Sequence, residues 1–222
     1  MKKGFTLAEV LITMALIGVI AAMVLPALST NTQKASVGPS LAKMMNTLEN
    51  ANRLILVENS ARSLQTVCKN AEGEDDYFAC LKTYVPGNIV DLADTSYYGY
   101  DMTTAEFTPT RAYLTNDGMA LFVDENPAAE AIENVPAPYF GRYYKVYVDT
   151  NGIKKKTNSV GHDTFLFYVD LNGSVIPYGG NSYKAYTSGE SVLWETECLK
   201  SGPTAGASCT GSIADNGWKV VY

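Results

Sequence analysis

The chain has 222 residues and a formal net charge of −6, from 17 Lys and Arg against 23 Asp and Glu. That balance excludes a surface built to neutralise phosphates, so nucleic acid is not an expected partner. Hydrophobic residues make up 46% but charged residues only 18%, below the roughly 25% usual in soluble domains, so part of the chain is not meant for water.

That part is the N-terminus. Between Phe5 and Leu28, 19 of 24 residues are apolar and the only charge is Glu9. Val10 to Leu28 carries no charge at all, and a helix of about 20 apolar residues crosses a bilayer core about 30 Å thick. Lys2 and Lys3 precede the run and no basic cluster follows it, which places Met1 in the cytoplasm and the residues after Leu28 outside. A cleaved secretory signal has a shorter apolar region, about 7–15 residues, and an acid within it would be out of place. A carboxylate held at depth in a bilayer costs about 2.5–3.5 kcal/mol, so Glu9 points to a role with a partner.

The run Lys3-Gly4-Phe5-Thr6-Leu7-Ala8-Glu9, followed by the apolar helix, resembles the class III signal of the type IV pilin and pseudopilin family. Ala8 departs from the commoner larger aliphatic residue without disturbing the spacing of Gly4, Phe5 and Glu9. The resemblance implies cleavage by prepilin peptidase between Gly4 and Phe5, N-methylation of the Phe5 amine, and retention of the helix. Other subunits of the same kind and an inner-membrane assembly platform are then the expected partners. Glu9 would face the new amine of a neighbouring subunit, each neutralising a charge that is expensive in a dry core. Pro26 removes a backbone donor and either kinks the helix or ends the membrane span. The expected organisation is a leader at 1–4, a transmembrane and filament-core helix at 5–28, an amphipathic helix at 29–60 and an extracytoplasmic domain at 61–222. The location is a bacterial inner membrane, crossed once, and then a filament.

Beyond Leu28, Leu41, Met44, Met45, Leu48, Ile55 and Leu56 follow helical spacing, with Lys43, Glu49, Asn50 and Arg53 off the stripe. Gly38-Pro39 interrupts the pattern, predicting a kink or a restart with Pro39 in the first turn. Asn59 to Asn88 reads as irregular or short helical structure, its acidic cluster Glu72, Glu74, Asp75 and Asp76 being a solvated loop. Strands are predicted at Thr110–Thr115, Met119–Val123, Tyr143–Asp149, Phe165–Asp170 and Val175–Tyr178, with turns at Asn116-Asp117-Gly118 and Asn172-Gly173. The fold class is α+β: a long N-terminal helix, membrane-spanning in its first half and amphipathic in its second, packed on a C-terminal antiparallel sheet as in pilins.

Four cysteines in an exported domain argue for disulfides. Of three pairings the local one, Cys68–Cys80 and Cys198–Cys209, closes loops with 11 and 10 intervening residues, each stabilising by about 3 kcal/mol. The second resembles the C-terminal disulfide-bounded loop of many pilins. A zinc site would need shorter spacings within each pair. Asp149, Asn151, Asp163 and Asp170 offer oxygens that suit calcium, which some pseudopilins bind near their C-terminus; the competing reading is a pair of turns capped by those side chains. Lys154, Lys155 and Lys156 rule out an EF-hand, and no cofactor is required. The single histidine, His162, has no nucleophile elbow to serve, and no phosphate loop, dinucleotide fingerprint or paired-histidine metal motif appears, so an enzyme is not expected. The function read here is a structural subunit of a type IV pilus or a type II secretion pseudopilus. The alternative is a membrane-anchored or filament-tip binding module in which Tyr97, Tyr98 and Tyr100, or Tyr183 and Tyr186, form an aromatic platform.

Overall fold

The computed structural model describes residues 6–93, 95–100, 102, 105–123, 130–131, 133–153, 158–189, 198–199 and 206–222, with side chains for all of these except 25–33, 105–107 and 130–131. The chain divides into two compact units, Met1–Ser36 and Val37–Tyr222. Helix α1, Leu7–Glu58, supplies all the described structure of the first unit and the opening element of the second. It continues through Pro26 and through Gly38-Pro39. The restart expected at Pro39 is therefore corrected. Val37 and Leu41 are buried on either side of it, and tertiary packing holds the turn that local sequence would break.

In the second unit, short helices α2 (Leu64–Val67) and α3 (Tyr77–Tyr84) follow α1. Asp76 caps α3, accepting from the Phe78 and Ala79 amides. The strands then run β1 (Gly87–Asp91), β2 (Tyr97–Tyr98), β3 (Ala105–Phe107), β4 (Arg111–Thr115), β5 (Ala120–Val123), β6 (Glu130–Ala131), β7 (Arg142–Asp149), β8 (Asn158–Ser159), β9 (Thr164–Asp170) and β10 (Val175–Pro177). Helices α4 (Gly180–Tyr186) and α5 (Cys209–Asp215) close the chain. The main sheet has the order β1-β4-β5-β7-β9-β10, antiparallel throughout, with β6 also paired to β7. A smaller sheet has the order β3-β2-β8.

The pleat of β7 sorts its side chains to two cores. Tyr144, Val146 and Val148 lie opposite Val169, Phe167 and Phe165 of β9, in one cluster with Leu41, Met44, Leu48, Ala51 and Ile55 of α1. Tyr143 and Tyr147 join Leu166, Tyr168, Tyr97, Tyr183 and Tyr186 in a second cluster on the other face. Both faces of the sheet are thus covered. The β4–β5 turn places Gly118 at φ 90° and the β9–β10 turn places Gly173 at φ 94°, where side chains are strained. A Cβ on Gly173 would also lie 3.1 Å from Cβ of Asn52, so this turn sits directly on α1.

Candidate functional site

The N-terminal segment is built around Thr6 and Glu9. One Glu9 carboxylate oxygen accepts from the Thr6 amide at 2.8 Å and from its hydroxyl at 2.9 Å, while the Glu9 amide donates back to the Thr6 hydroxyl at 3.3 Å. This reciprocal capping box satisfies donors that the first turn of α1 would leave orphaned. From Leu7 to Val24 the helix has a mean hydropathy of 2.4 and none of it is buried. By length and composition it can cross a membrane. Gly4 and Phe5 lie outside the described residues, and Pro26 is described only as part of the helical backbone.

The four oxygen-bearing residues proposed for calcium do not come together. Asp149 pairs with Thr164 at the start of β9, whereas Asp170 ends that strand opposite Tyr143, about 20 Å away at the rise of an extended chain. Asp149 accepts from the amides of Asn151 and Gly152, both at 2.9 Å, and from the Tyr97 hydroxyl at 3.0 Å. Asp163 accepts from the Ser159 amide at 2.8 Å and from the Asn151 side-chain amide at 3.0 Å. Asp170 accepts from the amides of Phe140, Gly141 and Asn172 and from the Tyr186 hydroxyl. The carboxylates are thus engaged by turn and loop donors, and as a set these residues do not fit one calcium cage. Among the described residues no group of three or more His, Cys, Asp or Glu is placed to hold a metal ion. Burial pushes the Asp149 carboxyl up to about 6, with repulsion from Asp163 adding to it and the Asn151, Gly152 and Tyr97 donors opposing.

Both local disulfides form, Cys68–Cys80 and Cys198–Cys209. Of the proposed aromatic platforms, Tyr97 and Tyr186 are fully buried and Tyr183 nearly so, which removes the Tyr183–Tyr186 pair, while Tyr98 and Tyr100 are half-buried. The buried rings serve the second core, where Tyr143 stacks on Tyr168 at 4.0 Å and Tyr183 meets the edges of Tyr168 and Tyr178. His162 is exposed and stacks on Tyr100 at 4.2 Å. Two residues escaped the sequence reading. Thr6 was readable from the Thr-x-x-Glu spacing ahead of an apolar run. Asn52 was not, because nothing local marks it: its side chain donates to the Gly173 carbonyl at 3.0 Å and accepts from the Tyr77 hydroxyl at 2.7 Å, fully buried.

No curated protein and no solved structure matches the chain. Residues 1–25 do match a family model, the prokaryotic N-terminal methylation motif. With the apolar helix that follows and the antiparallel sheet beyond it, the chain carries the prepilin-type signature of type IV pilins and pseudopilins.

Proposed function

We propose that the chain is a structural subunit of a type IV pilus or a type II secretion pseudopilus. Prepilin peptidase removes residues 1–4, the new Phe5 amine is methylated, and α1 anchors the subunit in the inner membrane with its N-terminus cytoplasmic. Assembly then proceeds through α1, the amine of one subunit lying near Glu9 of the next. The observation that carries this reading is the methylation motif at residues 1–25, which overlaps an apolar helix, Leu7–Val24, with nothing buried. Burial of Tyr97, Tyr183 and Tyr186 supports a structural subunit over a filament-tip binding module, since it removes most of the aromatic surface such a module would use.

Mass-spectrometric mapping of the mature N-terminus tests the proposal. A chain beginning at a methylated Phe5 is expected, whereas an intact Met1 or cleavage near Leu28 would overturn it.

A further inference from the structure

The weakest point of α1 inside the second unit is Gly38-Pro39. A mid-helix Gly costs about 1 kcal/mol relative to Ala, and a mid-helix Pro removes a hydrogen bond and crowds the preceding turn. The C-terminal tail crosses the helix at that point. A Cβ on Gly38 would lie 1.8 Å from the carbonyl oxygen of Trp218 and 2.6 Å from its carbonyl carbon, so glycine is what lets the tail backbone rest on the helix.

The tail is aimed there by the end of α5. Gly217 donates to the Ala214 carbonyl at 3.1 Å and Trp218 to the Ile213 carbonyl at 2.8 Å, the paired bonds of a Schellman stop. Gly217 has φ 65°, as that motif requires, and Trp218 follows with φ 61°, a conformation in which a bulky side chain is strained. Trp218, Val220 and Tyr222 then turn toward the core that contains Val37 and Leu41, while Lys219 and Val221 are exposed. Tyr222 ends the crossing, donating its hydroxyl to the Gly161 carbonyl at 2.8 Å and meeting the edge of Tyr100. Lys219 to Val221 make no backbone hydrogen bond to other described backbone. The tail thus docks through alternate side chains and the Tyr222 hydroxyl, from a strained root.

We infer that residues 218–222 are a releasable strap: docked, they hold the first turns of the domain's share of α1 at Gly38-Pro39; released, they free those turns while the sheet and both disulfides stay in place. The inference does not depend on the filament reading, because it concerns the isolated chain.

Hydrogen exchange of the full chain in detergent micelles tests it, comparing the parent with Gly38→Ala, with a chain ending at Gly217, and with both changes together. Gly38→Ala and the truncation should each speed exchange at residues 40–45 by about ten-fold or more, leaving β7 and β9 protected. The double variant should exchange no faster than the truncation alone, since the added methyl then meets no Trp218 carbonyl. Tyr222→Phe, which keeps the ring and drops the bond to Gly161, should give a smaller rise at the same residues. Unchanged protection at 40–45 in Gly38→Ala would overturn the strap, as would additive effects in the double variant. Equal loss of protection in β7 and β9 would overturn it too, by making the tail an ordinary piece of the core.

Discussion

Replacing Asp149 by asparagine is expected to change how stability depends on pH. Asp149 is fully buried, and its carboxyl titrates at about 6 because burial disfavours the charge, with Asp163 adding repulsion. In an unfolded chain an aspartate titrates near about 3.9. Between these values the folded protein keeps a proton that the unfolded chain has released. The stability from this group is thus fully present below about pH 4 and is lost as pH rises to about 6. A shift of about two pK units, at about 1.36 kcal/mol each, amounts to about 3 kcal/mol. The asparagine side chain of D149N would keep one oxygen for the Asn151 and Gly152 amides and carry no charge at any pH. The assay is urea unfolding of the full chain in detergent micelles at intervals from about pH 4 to pH 8, read as the difference between parent and D149N, so that other titrating groups cancel. The difference should move in favour of the variant by about 2–3 kcal/mol across that range. A difference constant within about 0.5 kcal/mol would refute the reasoning, because a carboxylate ionised throughout would produce no slope.

Three further outcomes follow from the geometry. Glu9→Ala should leave membrane insertion and leader cleavage intact but lower incorporation into filaments, measured as the sheared fraction; Glu9→Gln, which keeps an acceptor for the Thr6 amide, should fail to restore it if charge is what matters. Asn52→Ala leaves the Tyr77 hydroxyl and the Gly173 carbonyl without the bonds they make to it, a loss of about 2–5 kcal/mol in urea unfolding; less than about 1 kcal/mol would show that the bridge is dispensable. Asp170→Ala removes the acceptor for three backbone amides and the Tyr186 hydroxyl, so the purified chain should lose protease resistance over residues 133–141, and retained resistance would contradict that anchor.

The elements that could be read from the sequence are those whose signal is periodic and local. Leu41, Met44, Leu48 and Ile55 recur at helical spacing and are buried on one face of α1. The alternation in β7 correctly separated Tyr144, Val146 and Val148 from Tyr143 and Tyr147. Features set by distant partners were not legible. Gly87–Asp91 pairs with β4 across a long excursion, and its own residues alternate too weakly to announce a strand. Three of the tyrosines proposed as a platform look exposed in sequence because Tyr tolerates water, yet Tyr97, Tyr183 and Tyr186 turn inward and pack on Phe122, Tyr143 and Tyr168 of the sheet. Gly38-Pro39 reads as a break until Trp218, 180 positions later, is placed against it.

The exposed helix also constrains what can drive assembly. Eleven large apolar side chains from Leu7 to Val24 are between 44% and 81% exposed. Burying such side chains is worth about 1.5–3 kcal/mol each, so leaving them in water would cost more than the roughly 5–15 kcal/mol that holds a whole domain together. This segment therefore needs a bilayer or other helices around it. Moving from lipid to a bundle of like helices gains little hydrophobic free energy, since lipid tails are as apolar as Leu. Side-chain packing and polar pairing must then favour the filament, and along Leu7–Val24 the ionisable group is Glu9. In the single chain its carboxylate is already satisfied by Thr6. In the proposed filament a neighbour's amine would have to improve on that cap, which is itself charge-assisted; it would do so by adding a full positive charge where the single chain offers the carboxylate only neutral donors. A neutral residue in place of Glu9 removes the preference for the filament and only lightens the cost in the bilayer, so assembly should fall while insertion stays intact.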